Sequence, residues 1–173
     1  MTVKNIILIG MPGAGKSTIG VVLAKIMNYQ FTDSDLLIQK QEGEILQDLI
    51  EEKGIEGFLA IENQVNRDIE TDRTVISTGG SAVYCREAMM KLKEKGIVVY
   101  LQLSYDSINC RLGSLRRRGV VLRKGATLMD LYRERIPLYE RYADIIVNID
   151  GLDISEAIRE VKVAIDCVLR GDQ

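Results

Sequence analysis

An α/β fold built on a parallel sheet is what this sequence of 173 residues predicts, on two observations. Short β-branched runs alternate with longer helical stretches along the whole chain, which is the signature of βαβ units and of a sheet covered by helices on both faces. One of those runs, Ile6-Ile7-Leu8-Ile9, is apolar at every position, as a central strand buried on both sides must be.

Taken in order, the first strand is predicted over Asn5–Ile9, and a glycine-rich turn leads from it into a helix over Lys16–Met27. A short strand, Gln30–Thr32, precedes helical stretches over Ser34–Lys53 and Ile55–Thr71. Thr74–Ser77 is the third strand, Arg86–Lys95 a helix, Ile97–Gln102 the fourth strand and Tyr105–Leu112 another helix. Gly113–Gly125 is rich in Arg and Gly and fits no element; a loop of that length in a compact domain is expected to be a lid or a binding loop. The chain closes with a helix over Ala126–Tyr142, a strand over Ile145–Asn148 and a helix over Ser155–Leu169. In the last stretch Ile154, Ile158, Val161, Ile165 and Val168 recur at helical spacing and are expected to dock on the sheet. No internal repeat or Pro/Ser-rich linker divides the chain, so a single domain over residues 1–173 is expected.

Composition excludes several functions. The formal charge of −2 leaves no general electrostatic case for binding nucleic acid or an anionic membrane, and the one local basic cluster is Arg116, Arg117 and Arg118. Tyr132, Tyr139 and Tyr142 suit a packed helix face better than a platform for stacking bases. The apolar run near Met1 is too short to cross a membrane and lacks the form of a secretory signal, so a cytoplasmic protein is expected. Cys85, Cys110 and Cys167 are odd in number and widely spaced, which fits neither a disulfide framework nor a zinc site. The absence of histidine removes Ser-His-Asp and Cys-His nucleophilic mechanisms and histidine-ligated metals.

The strongest chemical signal is Gly10-Met11-Pro12-Gly13-Ala14-Gly15-Lys16-Ser17, which fits G-x-x-x-x-G-K-[ST] at every fixed position. It lies between a strand and a helix, where backbone N–H groups and the helix N-terminus converge on an anion. Gly13, Ala14, Gly15, Lys16, Ser17 and Thr18 are the candidate nucleotide-binding residues: Lys16 reaches the β- and γ-phosphates of ATP, and the Ser17 hydroxyl serves Mg²⁺. Asp33 and Asp35 follow the second strand, at the carboxyl edge of the sheet where ligands bind in open α/β folds. One can anchor the Mg²⁺ shell and the other accept a proton from an attacking hydroxyl, although Asp33 or Ser34 is equally a candidate helix cap. Gly79, Gly80 and Ser81 follow the third strand and allow a ligand to come close to the backbone.

In this order these segments, with Thr18-Ile19-Gly20, Phe31-Thr32-Asp33-Ser34-Asp35, the arginine-bearing loop and Arg135-Ile136-Pro137-Leu138-Tyr139, resemble the shikimate kinase family over nearly the whole chain. The resemblance implies a three-layer P-loop kinase fold, with a five-stranded parallel sheet in the order 2-3-1-4-5, a mobile lid at about 113–125 and an acceptor-binding helical region at about 34–62. It also implies roles: Lys16, Asp35 and Arg118 in catalysis, Ser17 and Asp33 toward Mg²⁺, and Arg111 and Arg118 toward ATP. Asp35, Gly79, Gly80, Ser81 and Arg135 would meet the acceptor, with Arg135 on its carboxylate. An arginine run has no internal register, so the lid arginine is Arg118, or Arg117 if the loop shifts by one. Phosphoryl transfer needs positioning and positive charge more than covalent chemistry, which suits this set. The partners implied are ATP and a small hydroxylated metabolite, met by a monomer.

The sequence departs from the family on the acceptor side. The family's F-R-x-x-E pattern, whose arginine grips the acceptor carboxylate, reads Phe58-Leu59-Ala60-Ile61-Glu62 here. Leu59 removes a charge-assisted clamp worth about 1.5–3 kcal/mol per hydrogen bond. The family's third glycine is Ser81, and its Arg-Pro-Leu lid reads Arg118-Gly119-Val120. Arg135 would hold a carboxylate alone unless Arg67 or another basic residue supplies the missing contact. Three functions follow: phosphorylation of shikimate, phosphorylation of another polyol or hydroxy acid, and ATP binding without turnover.

Overall fold

The computed structural model describes residues 4–112 and 120–171. The predicted lid arginines Arg116, Arg117 and Arg118 lie outside the described residues. The chain forms β1 (Asn5–Ile9), α1 (Lys16–Met27), β2 (Gln30–Asp33), α2 (Ser34–Glu42), α3 (Leu46–Arg67), β3 (Thr74–Ser77), α4 (Arg86–Lys95), β4 (Gly96–Gln102), α5 (Tyr105–Leu112), α6 (Leu128–Tyr142), β5 (Ile145–Asn148) and α7 (Ile154–Arg170). A 3₁₀ turn, Ala82–Tyr84, lies between β3 and α4.

All five strands are parallel, in the order β2-β3-β1-β4-β5. The central strand β1 pairs with β3 through Ile6–Val75, Ile7–Ile76 and Leu8–Ser77, and with β4 from Asn5–Gly96 to Ile9–Tyr100. Ile6, Ile7, Leu8 and Ile9 are fully buried, as their unbroken apolar run requires. Asn5 is the polar exception: its amide donates to Thr71 O at 2.7 Å and its oxygen accepts from Thr74 N at 3.0 Å, which fixes the start of β3 against β1. The β1–β2 crossover runs toward one edge of the sheet and the β3–β4 crossover toward the other. Right-handed connections in opposite directions place α1 and α4 on opposite faces. Accordingly α1 packs on β2, β3 and α7, whereas α4 packs on β1, β4 and α3.

Four sequence expectations change. The single helix expected over Ser34–Lys53 is two helices, because Gly43 adopts a left-handed conformation that ends α2. The separate helices expected on either side of residue 54 form one kinked element, α3, with Gly54 at φ 68°, ψ 175° as the kink. The helix expected to reach Thr71 stops at Arg67, with Asp68 at its C-cap. The α7 stripe docks only in its middle: Ile158, Val161 and Ile165 are buried, while Ile154 and Val168, near the two ends of the helix, are about half exposed. The tyrosines of α6 behave as the packed face expected of them, since Tyr139 and Tyr142 are buried and Tyr132 donates to Leu103 O at 2.9 Å.

Candidate active site

The carboxyl ends of β1, β2 and β3 bring the predicted groups to one place. Gly10–Gly15 joins β1 to α1, Asp33 ends β2, and Thr78–Ser81 follows β3. Because β3 lies between β1 and β2, the sheet changes winding direction here, and this is where open α/β sheets form a crevice. A cavity of about 360 Å³ occupies the crevice, lined on one side by Gly13, Gly15, Lys16, Ser17 and Thr18 and on the other by Asp35, Gly80, Ser81 and Arg135. One continuous space therefore joins the phosphate loop to the proposed acceptor residues.

Lys16 is buried at the start of α1, and its ammonium donates to Gly10 O at 2.9 Å and Met11 O at 3.1 Å. Burial lowers its pKa to about 8, opposed by Asp35 and reinforced by Arg135. Ser17 Oγ donates to Asp33 Oδ2 at 2.5 Å and lies 3.2 Å from Ser77 Oγ. The other oxygen of Asp33 accepts from Asp35 N at 3.0 Å, capping α2. The two roles weighed for Asp33 are thus compatible, one oxygen for each. This donor set fits Mg²⁺: hydroxyl and carboxylate oxygens suit a hard cation, and so few of them leave room for water and phosphate. No group of three or more His, Cys, Asp or Glu able to enclose a metal occurs among the described residues. Arg111 lies against the phosphate loop, its guanidinium 3.4 Å from Gly13 O.

On the acceptor side, burial raises the Asp35 pKa to about 6, with Asp33 adding and Lys16 opposing. Gly79 and Gly80 are required by the protein's own groups. A Cβ on Gly79 would collide with Glu62 Oε1, and would stand 2.7 Å from Asp35 Oδ1. One on Gly80 would stand 2.7 Å from Pro12 of the phosphate loop and 3.0 Å from Arg135 Nη1. Gly80 and Ser81 line the cavity directly, and Gly79 does not. Arg135 is 1% exposed, a burial that a guanidinium tolerates only with partners. It donates from Nε to Tyr84 Oη at 3.3 Å and from Nη2 to Val121 O at 3.0 Å.

Glu62 and Tyr84 were not singled out as site residues by sequence. Glu62 is fully buried in α3, one turn beyond Leu59, and neither of its oxygens has a partner in hydrogen-bonding geometry, Ser81 being the hydroxyl nearby. Burial raises its pKa to about 7. The available signal was its place in Phe58-Leu59-Ala60-Ile61-Glu62, three residues after the departure at Leu59. Tyr84 left no signal of its own. Arg67, the candidate for replacing the missing arginine, is not in the cavity: it pairs with Asp68 at 3.1 Å and Glu87 at 3.7 Å on the surface. Leu59 instead lines a smaller cavity of about 170 Å³ with Ile55, Tyr84, Arg123 and Glu134.

The family model described as shikimate kinase matches residues 12–166. A shikimate kinase of a Sulfurihydrogenibium strain is 34% identical over 159 residues, covering 91% of this chain and 95% of its own. One from Pseudoalteromonas atlantica is 40% identical over 151 residues, covering 85% and 88%. Among solved structures, shikimate kinase from Acinetobacter baumannii in complex with shikimate superposes with a TM-score of 0.85 at 29% identity, covering 99% of this chain and 96% of that one. The match of sequence, sheet order and phosphate loop over nearly the whole chain places it in the shikimate kinase family, as an ATP-dependent kinase acting on a hydroxyl group.

Proposed function

We propose that the protein phosphorylates shikimate, yielding shikimate 3-phosphate and ADP. The observation that carries the reading is the continuous cavity, with Lys16 and Ser17 at one end and Asp35, Gly80 and Arg135 at the other. In this reading the loop N–H groups and Lys16 bind the phosphates, and Arg111 flanks the nucleotide. Ser17 and Asp33 hold Mg²⁺, which when bound offsets charge on the β- and γ-phosphates. Asp35 orients the acceptor hydroxyl and takes its proton as the oxygen attacks the γ-phosphorus. Arg135 holds the carboxylate, and Arg118 of the lid is assigned to the transferring phosphoryl group.

Leu59, standing where the family pattern has its arginine, favours a second reading, in which the acceptor is a polyol without a carboxylate. ADP release with Mg·ATP, measured for shikimate and a panel of polyols and hydroxy acids, decides between them. Turnover of shikimate that falls about a hundredfold in Arg135→Ala is expected, since the charge-assisted hold on the carboxylate is lost. Shikimate left inert while a neutral polyol turns over would replace this reading with the second.

A further inference from the structure

With Leu59 in place of the second arginine, Arg135 is the one arginine among the described residues lining the main cavity. A lone guanidinium selects a carboxylate well only if its planar fork is already aimed, because ordering a long side chain during binding opposes affinity. Nε is engaged by Tyr84 and Nη2 by Val121, and Tyr139 also bonds the guanidinium, while Nη1 stands beside Gly80 in the cavity. Tyr84 holds the group twice. Its oxygen accepts from Nε at 3.3 Å, and Cζ lies over its ring, 5.2 Å from the centroid.

The placement of Tyr84 is local in origin. The 3₁₀ turn that follows Ser81 brings Tyr84 N to Ser81 O at 2.9 Å, so the segment that floors the acceptor end also carries the ring behind Arg135. A phenol oxygen that accepts from Arg135 still has a proton to donate. Glu134 borders the same small cavity and acts on the Tyr84 phenol, so it is placed to take that proton and turn the lone pair toward Nε. Leu59 lines this cavity on the side where the family pattern would put its arginine.

We propose that Tyr84 is a positioning residue for the acceptor, fixing Arg135 through its hydroxyl and its ring so that one guanidinium holds the carboxylate that the family pattern grips with two. The inference rests on the reading of a carboxylate acceptor given above. Arg123 is the rival source of a second contact, since it borders the same small cavity on the opposite chain segment.

Steady-state kinetics of the full chain test it. Tyr84→Phe keeps the ring and deletes the oxygen; the KM for shikimate is expected to rise about ten- to a hundredfold, the size of one hydrogen bond to a charged group, with kcat and the KM for ATP within about twofold. Adding Leu59→Arg to Tyr84→Phe is expected to bring the shikimate KM back toward the wild-type value. The methyl ester of shikimate, lacking the charge, should show no difference between wild type and Tyr84→Phe. An unchanged shikimate KM in Tyr84→Phe, an equal rise in the KM for ATP, or a larger rise in Arg123→Ala than in Tyr84→Phe would each overturn the proposal. Failure of the underlying reading is separate and visible earlier, as wild-type protein inert toward shikimate.

Discussion

Both carboxylate oxygens of Glu62 are buried without a hydrogen-bond partner among the described residues, and the arginine that the family pattern places one turn earlier is Leu59. A buried carboxyl in that position favours its neutral form, and its pKa stands at about 7 where 4.5 is ordinary. Between those values the folded chain keeps a proton that the unfolded chain has released, so stability falls as pH rises through that window and is fully present only below about 4.5. Glu62→Gln keeps the shape and removes the ionisation. At pH 8 it should therefore be more stable than wild type, by up to about 3 kcal/mol, and at pH 4 nearly equal. Denaturant unfolding from pH 4 to 8 checks this; parallel curves for the two proteins would show that Glu62 finds compensation for its charge. On the proposal made for Tyr84, the same absence is what gives it importance, since this end of the cavity has lost one cation of the family pattern and kept both of its carboxyls.

Helix α3 shows where sequence reading stops being sufficient. That its residues are helical was legible, and so was the discontinuity at residue 54, but its start at Leu46 and its end at Arg67 were not. The break at Gly43–Ile45 was not, because acidic and lysine residues on either side continue a good helical pattern, and only the left-handed turn at Gly43 ends it. The kink at Gly54 redirects the half that carries Phe58, Leu59 and Glu62 toward the 3₁₀ turn of Ala82–Tyr84. A Cβ at Gly54 would meet nothing within 4 Å, so packing does not oppose a substitution there. The backbone does, because φ 68° with ψ 175° is a conformation essentially reserved for glycine. Gly54→Ala is accordingly expected to lose about 1–3 kcal/mol of stability. It should raise the acceptor KM more than the KM for ATP, since the strain falls on the acceptor-side helix alone. Thermal unfolding together with both KM values checks it, and equal stability to wild type would mean that the kink relaxes into a straight helix at no cost.

At the scale of the whole molecule, alternation of strands and helices fixed the fold class, whereas the strand order was legible only through resemblance to a family. Periodicity says that Ile6–Ile9 is central but cannot say that β3 lies between it and β2; that follows from long-range pairing such as Asn5 with Thr74. The order matters for chemistry because it sets Asp35, from the end of β2, near Lys16, from the end of β1, in one cavity. The two groups shift each other: Asp35 stands at about 6 and Lys16 at about 8, each displaced first by burial and partly restored by the other's charge. On the proposed roles Asp35 acts as the carboxylate and is competent above about pH 6, and Lys16 acts as the ammonium and is competent below about pH 8. The free-enzyme profile of kcat/KM for ATP should therefore rise through the first value and fall through the second. In kcat the alkaline fall should move upward, because bound phosphates favour the charged ammonium. Lys16→Arg tests the assignment of that limb: a guanidinium stays charged, so the residual activity should lose its alkaline fall up to about pH 10 while the acid limb remains. An alkaline limb that persists unchanged in Lys16→Arg would assign it to another group and break the link between the burial of Lys16 and the pH range of the enzyme.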